Sequence, residues 1–185
     1  MTGKLTGLAA LFCLLIWPQA AFSQSSAEEE LVELITARLA VMKEVAAFKL
    51  ANDLAVEDKP REAVVLAKSR EKAEATGLDG PSVTPFFRQQ IEAAKAIQVC
   101  WFARWQSGGA SSQRFPRDLK SEIRPQLIEI GARLTAALGR ALENGQPLDA
   151  GRLAGLRPVL ALDCLSEAAG DAVFASLAGV KGAAP

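Results

Sequence analysis

Residues Ala27 to Lys59 read AEEELVELITARLAVMKEVAAFKLANDLAVEDK, with neither glycine nor proline. Alanine and leucine dominate, and Leu31, Leu34, Ile35, Met42 and Val45 recur at helical spacing. That pattern predicts one long amphipathic helix from about Ala27 to Val56. Glu28, Glu29 and Glu30 stand where the positive end of a helix favours acidic groups. Arg38 and Lys49 are eleven positions apart, which is three turns plus about 20°, so both leave the same side of the helix roughly 16 Å apart along its axis. Their neighbours, Ala37, Leu39, Ala40, Val41 and Met42 around one and Val45 to Phe48 and Leu50 around the other, are apolar. A cation in apolar surroundings is costly without a partner, and a bound dianion would serve as one.

Working outward, the rest of the chain also reads as helix, since no segment sustains period-2 alternation of β-branched residues. Asp58 is the N-cap of a second helix that tolerates Pro60 in its first turn and runs to about Thr76, before Gly77. A third begins within Leu78–Ser82, with Asp79 and Ser82 both qualified as its cap and Pro85 disturbing its first turns, and continues to about Trp105. Gln106 to Arg117, rich in serine and glycine, is a loop. Leu119, Ile123, Leu127, Ile130, Leu134, Leu138 and Leu142 mark a fourth amphipathic helix, bent near Pro125. Asn144-Gly145-Gln146-Pro147 is a break. One or two shorter helices follow between Leu148 and Val180, and Lys181 to Pro185 is expected to fray. The expected fold is therefore an all-α bundle of about five to six helices.

The chain has 185 residues, enough for one domain with a core. Residues 1–23 read separately, as a cleaved signal peptide. Lys4 precedes the apolar run Leu8 to Trp17, Ala21-Phe22-Ser23 supplies small residues for cleavage, and the run is too short for the roughly 20 residues of a membrane span. The mature chain, 24–185, is thus placed in the periplasm or outside the cell, with no membrane contact once the signal is removed. Cys13 lies within the apolar run, after Leu11-Phe12, a context that argues against a lipid anchor.

Of 21 basic and 21 acidic residues the signal peptide removes one basic, so the mature protein is near neutral and no nucleic-acid partner is expected. Histidine and tyrosine are absent, which excludes histidine-dependent triads, histidine metal sites and the usual general base near neutral pH. Cys100 and Cys164 are too few for a standard zinc site. In an oxidising compartment the pair reads as a disulfide, with two separately buried thiols as the alternative.

Further candidates cluster on the second and third helices. Arg61 falls in a first turn, where peptide N–H groups favour anions, with Glu62 beside it. Gln98 lies near the far end of the third helix, and long antiparallel helices bring these two ends to one level. Lys43, Lys68, Arg70 and Lys72 read as exposed helix charges, and Trp101, Phe102 and Trp105 as packing residues.

Arg38-Leu39, Val45-Ala46-Ala47-Phe48-Lys49, Glu57-Asp58 with Arg61, Leu78-Asp79, Val83-Thr84, Gln90-Ile91 and Ala96-Ile97-Gln98 together resemble the secreted subclass of the all-helical (AroQ-type) chorismate mutases. The resemblance is close over residues 24–105 and loose over 118–180, whose helices would complete the site. It implies conversion of chorismate to prephenate by a [3,3] pericyclic rearrangement, a reaction that needs no nucleophile, metal or cofactor. It also implies the roles. Lys49 and Gln98 donate to the ether oxygen, Arg38 binds a carboxylate, and Arg61 helps position the substrate. Glu62 accepts from the ring hydroxyl, and Asp58 supports the start of that helix. A later helix of the same chain contributes a further arginine, expected to be Arg133, with Arg124 and Arg140 on the same helix as alternatives. Ala94 departs from the pattern, standing where relatives carry a serine or threonine that contacts a substrate carboxylate. A homodimer is compatible with the family. The alternative, from a different class, is a non-catalytic exported helical protein that binds a small anion or a protein partner.

Overall fold

The computed structural model describes residues 26–108, 116–156 and 161–184, so the signal peptide lies outside the described residues. Every regular element among them is helical: α1 (Ala27–Ala40), α2 (Met42–Ala51), α3 (Lys59–Ala75), α4 (Gly80–Gln106), a π-helical turn (Leu119–Ile123), α5 (Arg124–Leu142), α6 (Ala150–Leu153) and α7 (Glu167–Leu177).

The long first helix starts with a capping box: Ser26 Oγ accepts from Glu29 N at 3.1 Å, and Ser26 N donates back to Glu29 Oε2 at 2.8 Å. It differs from the sequence expectation in two ways. Val41, with ψ at −17°, interrupts it and divides α1 from α2. It also ends at Ala51 and not near Val56, because Asp53 turns left-handed at φ 53°. Leu54 N then closes on Lys49 O at 2.8 Å and Asn52 Nδ2 on Phe48 O at 2.8 Å, a glycine-free version of the usual helix stop. Residues 54–57 therefore form a loop above the helix end.

Asp58 caps α3 by accepting from Arg61 N at 3.1 Å, and Asp79 caps α4 by accepting from Ser82 N at 3.1 Å. Pro85 sits in the second turn of α4, where it leaves the carbonyl of exposed Pro81 without its usual donor. Pro125 lies in the first turn of α5, and the irregularity precedes it as the π turn.

The core runs along the centre of the bundle. Leu31, Ile35 and Leu39 from α1 meet Phe86, Phe87 and Ile97 from α4, Leu134 and Leu138 from α5, and Val173 and Leu177 from α7. Each fully buried aliphatic or aromatic side chain of this kind contributes roughly 1.5–3 kcal/mol. Trp101 is buried beneath Lys43 and Arg104. Cys100 and Cys164 form a disulfide with Cα atoms 5.6 Å apart, tying α4 to the segment before α7. The C-terminal residues are pinned where fraying was expected. Asp79 N donates to Lys181 O at 2.9 Å, Ala183 N to Gly77 O at 2.8 Å, and Lys181 N to Ser82 Oγ at 3.0 Å.

Candidate active site

A cavity of about 490 Å³ opens between α1/α2, α3, α4 and α5. Arg38 and Lys49 line it from the first two helices, Arg61 and Glu62 with the cap Asp58 from α3, and Gln98 from α4. The residues singled out on three sequence-distant helices therefore share one wall-to-wall space.

Arg133 does not. It is exposed on the outer face of α5, 3.7 Å from Glu30. Arg140 pairs with the same Glu30, and the arginine of α5 that lines the cavity is Arg124. The reason is helical phase. Arg124 shares its face with Leu127, Ile128 and Gly131, all cavity-lining, at spacings of three, four and seven. Arg133 is nine positions on, which turns it about 180° away.

Among the described residues Arg38, Arg61 and Arg124 make no ion pair. Arg38 keeps part of its surface open to the cavity but is closely surrounded by protein. Burial, then the nearby charge of Arg61, pushes its pKa down to about 10, which still leaves it charged at neutral pH. Lys49 is 9% exposed. Burial lowers its pKa below the usual 10.5, Asp58 and Glu62 work against that shift, and Arg124 works with it. Its Nζ donates to Val56 O in the α2–α3 loop at 2.6 Å, so the early end of α2 also places the partner that steadies this lysine. Gln98 is 4% exposed, and its Nε2 donates to Ala94 O at 3.0 Å and approaches Met42 Sδ at 3.7 Å. Gln98 Oε1 is buried without a partner.

Sequence reasoning missed further members. Lys68 and Lys72, read as ordinary surface charges, line the cavity about one and two turns down α3 from Val65, Lys68 largely exposed and Lys72 half-buried. Their spacing from Arg61, seven and eleven residues, is the signal that could have found them, since it repeats one helix face. Lys95 lines the α4 wall next to Ala94. The arrangement is strongly cationic and supplied with neutral amide and carboxylate groups, which suits a compact dianion carrying a hydroxyl.

Residues 25–99 match the family described as chorismate mutase type II. The chain is 32% identical over 148 residues to the secreted chorismate mutase of Yersinia pestis, covering 80% of this chain and 78% of that protein. It is 35% identical over 144 residues to the monofunctional chorismate mutase of Enterobacter agglomerans, covering 78% of each. The crystal structure of the Yersinia pestis protein superposes with a TM-score of 0.76 at 31% identity, covering 83% of this chain and 97% of that one.

Proposed function

The chain belongs to the chorismate mutase type II family, and from that premise we propose how its cavity acts as a secreted or periplasmic isomerase that turns chorismate into prephenate. In this rearrangement the ether C–O bond breaks as a new C–C bond forms, and negative charge grows on the ether oxygen. Two things lower the barrier: a cavity that holds the compact chair-like conformer, and donors already aimed at the developing charge.

Lys49 supplies the charged donor to the ether oxygen, and Gln98 the neutral one. Gln98 would release Ala94 O or the weak sulfur contact to do so, at little cost because thioether sulfur is a poor acceptor. Arg38 and Arg124 take the two carboxylates and Arg61 helps orient them. Glu62 accepts from the ring hydroxyl, and Asp58 holds the start of α3. Assigning the late arginine to Arg124 in place of Arg133 follows from its place on the cavity wall. Residues 24–185 act as one domain, the helices after residue 118 closing the site from the same chain. On this reading a homodimer would hold two independent sites.

The observation that carries the proposal is the convergence on one amide-bearing cavity of cations from α1, α2, α3 and α5, Arg38, Lys49, Arg61 and Arg124, that make no ion pair among the described residues. The test is loss of chorismate absorbance by the purified mature protein. Lys49→Ala should lower kcat/KM by about 10²–10³-fold, the size expected when one aimed donor is removed. Wild-type turnover no faster than Lys49→Ala would sink the reading. Turnover should also be flat from about pH 5 to 8, because glutamine donates at any pH and no unperturbed group here titrates in that window. A midpoint inside it would remove Gln98 from its role.

A further inference from the structure

Lys95 stands on α4 three residues before Gln98, with 21% of its side chain exposed. Its Nζ lies 2.9 Å from Glu92 Oε1 and 3.5 Å from Glu62 Oε2. Glu92 is more than half exposed and does not line the cavity, whereas Glu62 does. Three residues thus form a line from the outer surface of α4 to the interior of the site. An ammonium has three N–H donors, so Lys95 can serve both carboxylates at once. The hydrogen bond to Glu92, supported by the charges of both glutamates, holds the lysine charged beyond its usual range.

Glu62 needs such a restraint. Its other oxygen, Oε1, receives only a long contact from Asp58 N at 3.4 Å. A carboxylate that loosely held, in a cavity lined by Lys49 and Arg61, is drawn toward the very cations meant for substrate. Its pull on Lys49 is already felt, with that of Asp58, against the burial that lowers that lysine's pKa.

We propose that Lys95 is a positioning residue: it anchors the Glu62 carboxylate toward the ring hydroxyl and away from Lys49, and is itself fixed from outside the cavity by Glu92. The inference rests on the role given to Glu62 above. Both bonds to Glu62 are long, and a carboxylate has about four lone-pair sites, so the hydroxyl finds an open acceptor on an oriented group. Ala94, beside Lys95, adds no polar side chain to this wall, leaving Lys95 and Gln98 as its donors.

A double-mutant cycle tests the coupling. Lys95→Met should lower kcat/KM about tenfold in the wild-type background and less than about twofold in a Glu62→Gln background, since residues that act as a unit are not additive. Lys95→Arg should restore most of the loss, and Glu92→Gln should cost about two- to threefold. A merely structural lysine would lose the same factor in both backgrounds. Equal losses in both, or no loss from Lys95→Met, would overturn the proposal while leaving Glu62 in place. An unaffected Glu62→Gln single variant would overturn the role of Glu62 itself, and Lys95's with it.

Discussion

Among the described residues, Arg38, Arg61 and Arg124 converge at the cavity with no carboxylate partner, whereas on the seam where α1 meets α5 and α6 Arg133, Arg140 and Arg152 are all matched. There Arg133 and Arg140 share Glu30, and Arg152 takes Glu28 as well as Ala141 O at 2.7 Å and Gln146 O at 2.9 Å. The same side chain does two jobs, and its partners tell them apart. On the seam the positive charge is neutralised by the fold and helps to hold it. In the cavity the fold withholds neutralisation, at some cost to its own stability, and leaves that task to the ligand.

The sharpest way to break this contrast is to exchange the two arginines of α5. Arg124→Ala should lower kcat/KM by about 10²-fold with little change in Tm, since it removes a charge-assisted contact to substrate and, among the described residues, breaks no ion pair. Arg133→Ala should leave kcat/KM within about twofold, because an exposed pair contributes about 0–1 kcal/mol at most. Steady-state kinetics on both variants decides it, and the reverse ranking would return the late arginine to position 133.

That exchange also marks where local pattern stops being informative. Arg38 and Lys49 were legible because a breaker-free helix converts an eleven-residue spacing directly into a shared face. Arg61 was legible from the Asp58 cap, which fixes where α3 begins. The phase of α5 could have been read from Leu127, Leu134 and Leu138, since Arg124 falls about 60° from that stripe and Arg133 about 120° from it, but the family resemblance is loose over this helix and favoured Arg133. The end of α2 was readable in principle from Asn52-Asp53, two residues that tolerate the left-handed turn, yet alanine and leucine on either side favour continuing the helix. Pairing of Lys181–Ala183 with Gly77–Asp79 joins segments about a hundred residues apart, and no local signal encodes it.

On the seam, Arg152→Ala should cost about 1–3 kcal/mol, the range for a partly buried charged group that loses several hydrogen bonds, while kcat of the folded fraction stays unchanged. Acid sharpens the point. Burial works to raise the pKa of Glu28, but its backbone hydrogen bond and the Arg152 guanidinium outweigh that and hold it below the usual 4.5. A carboxylate depressed in the folded state stabilises above its unfolded pKa, and that contribution is lost as pH falls through the folded value. The gap between wild type and Arg152→Ala in urea melts should therefore be full at pH 7 and shrink below about pH 4.5. A gap that stayed constant into acid would mean that Arg152 supports the seam through its packing and carbonyl contacts alone.

The smallest effect is the most direct measure of what the cavity costs. Arg38→Met keeps the length of the side chain and removes an enclosed charge that has no ion pair, so the variant should melt a few degrees above wild type while losing activity. The sign with pH follows from the folded pKa of about 10, depressed from 12.5 by burial and by Arg61. Below that value the folded wild type carries a charge it disfavours, and as pH rises through it the folded state sheds the proton more readily than the unfolded chain does. The Tm advantage of Arg38→Met should thus be present at pH 7 to 8 and diminish above about pH 10. A saturating dianion should reverse the order at neutral pH, because only the wild type can bind it tightly and gain stability by mass action. If Arg38→Met instead melted lower in the absence of ligand, Arg38 would belong with the arginines of the seam, holding the bundle together, and the division between the two regions would fail at its first residue.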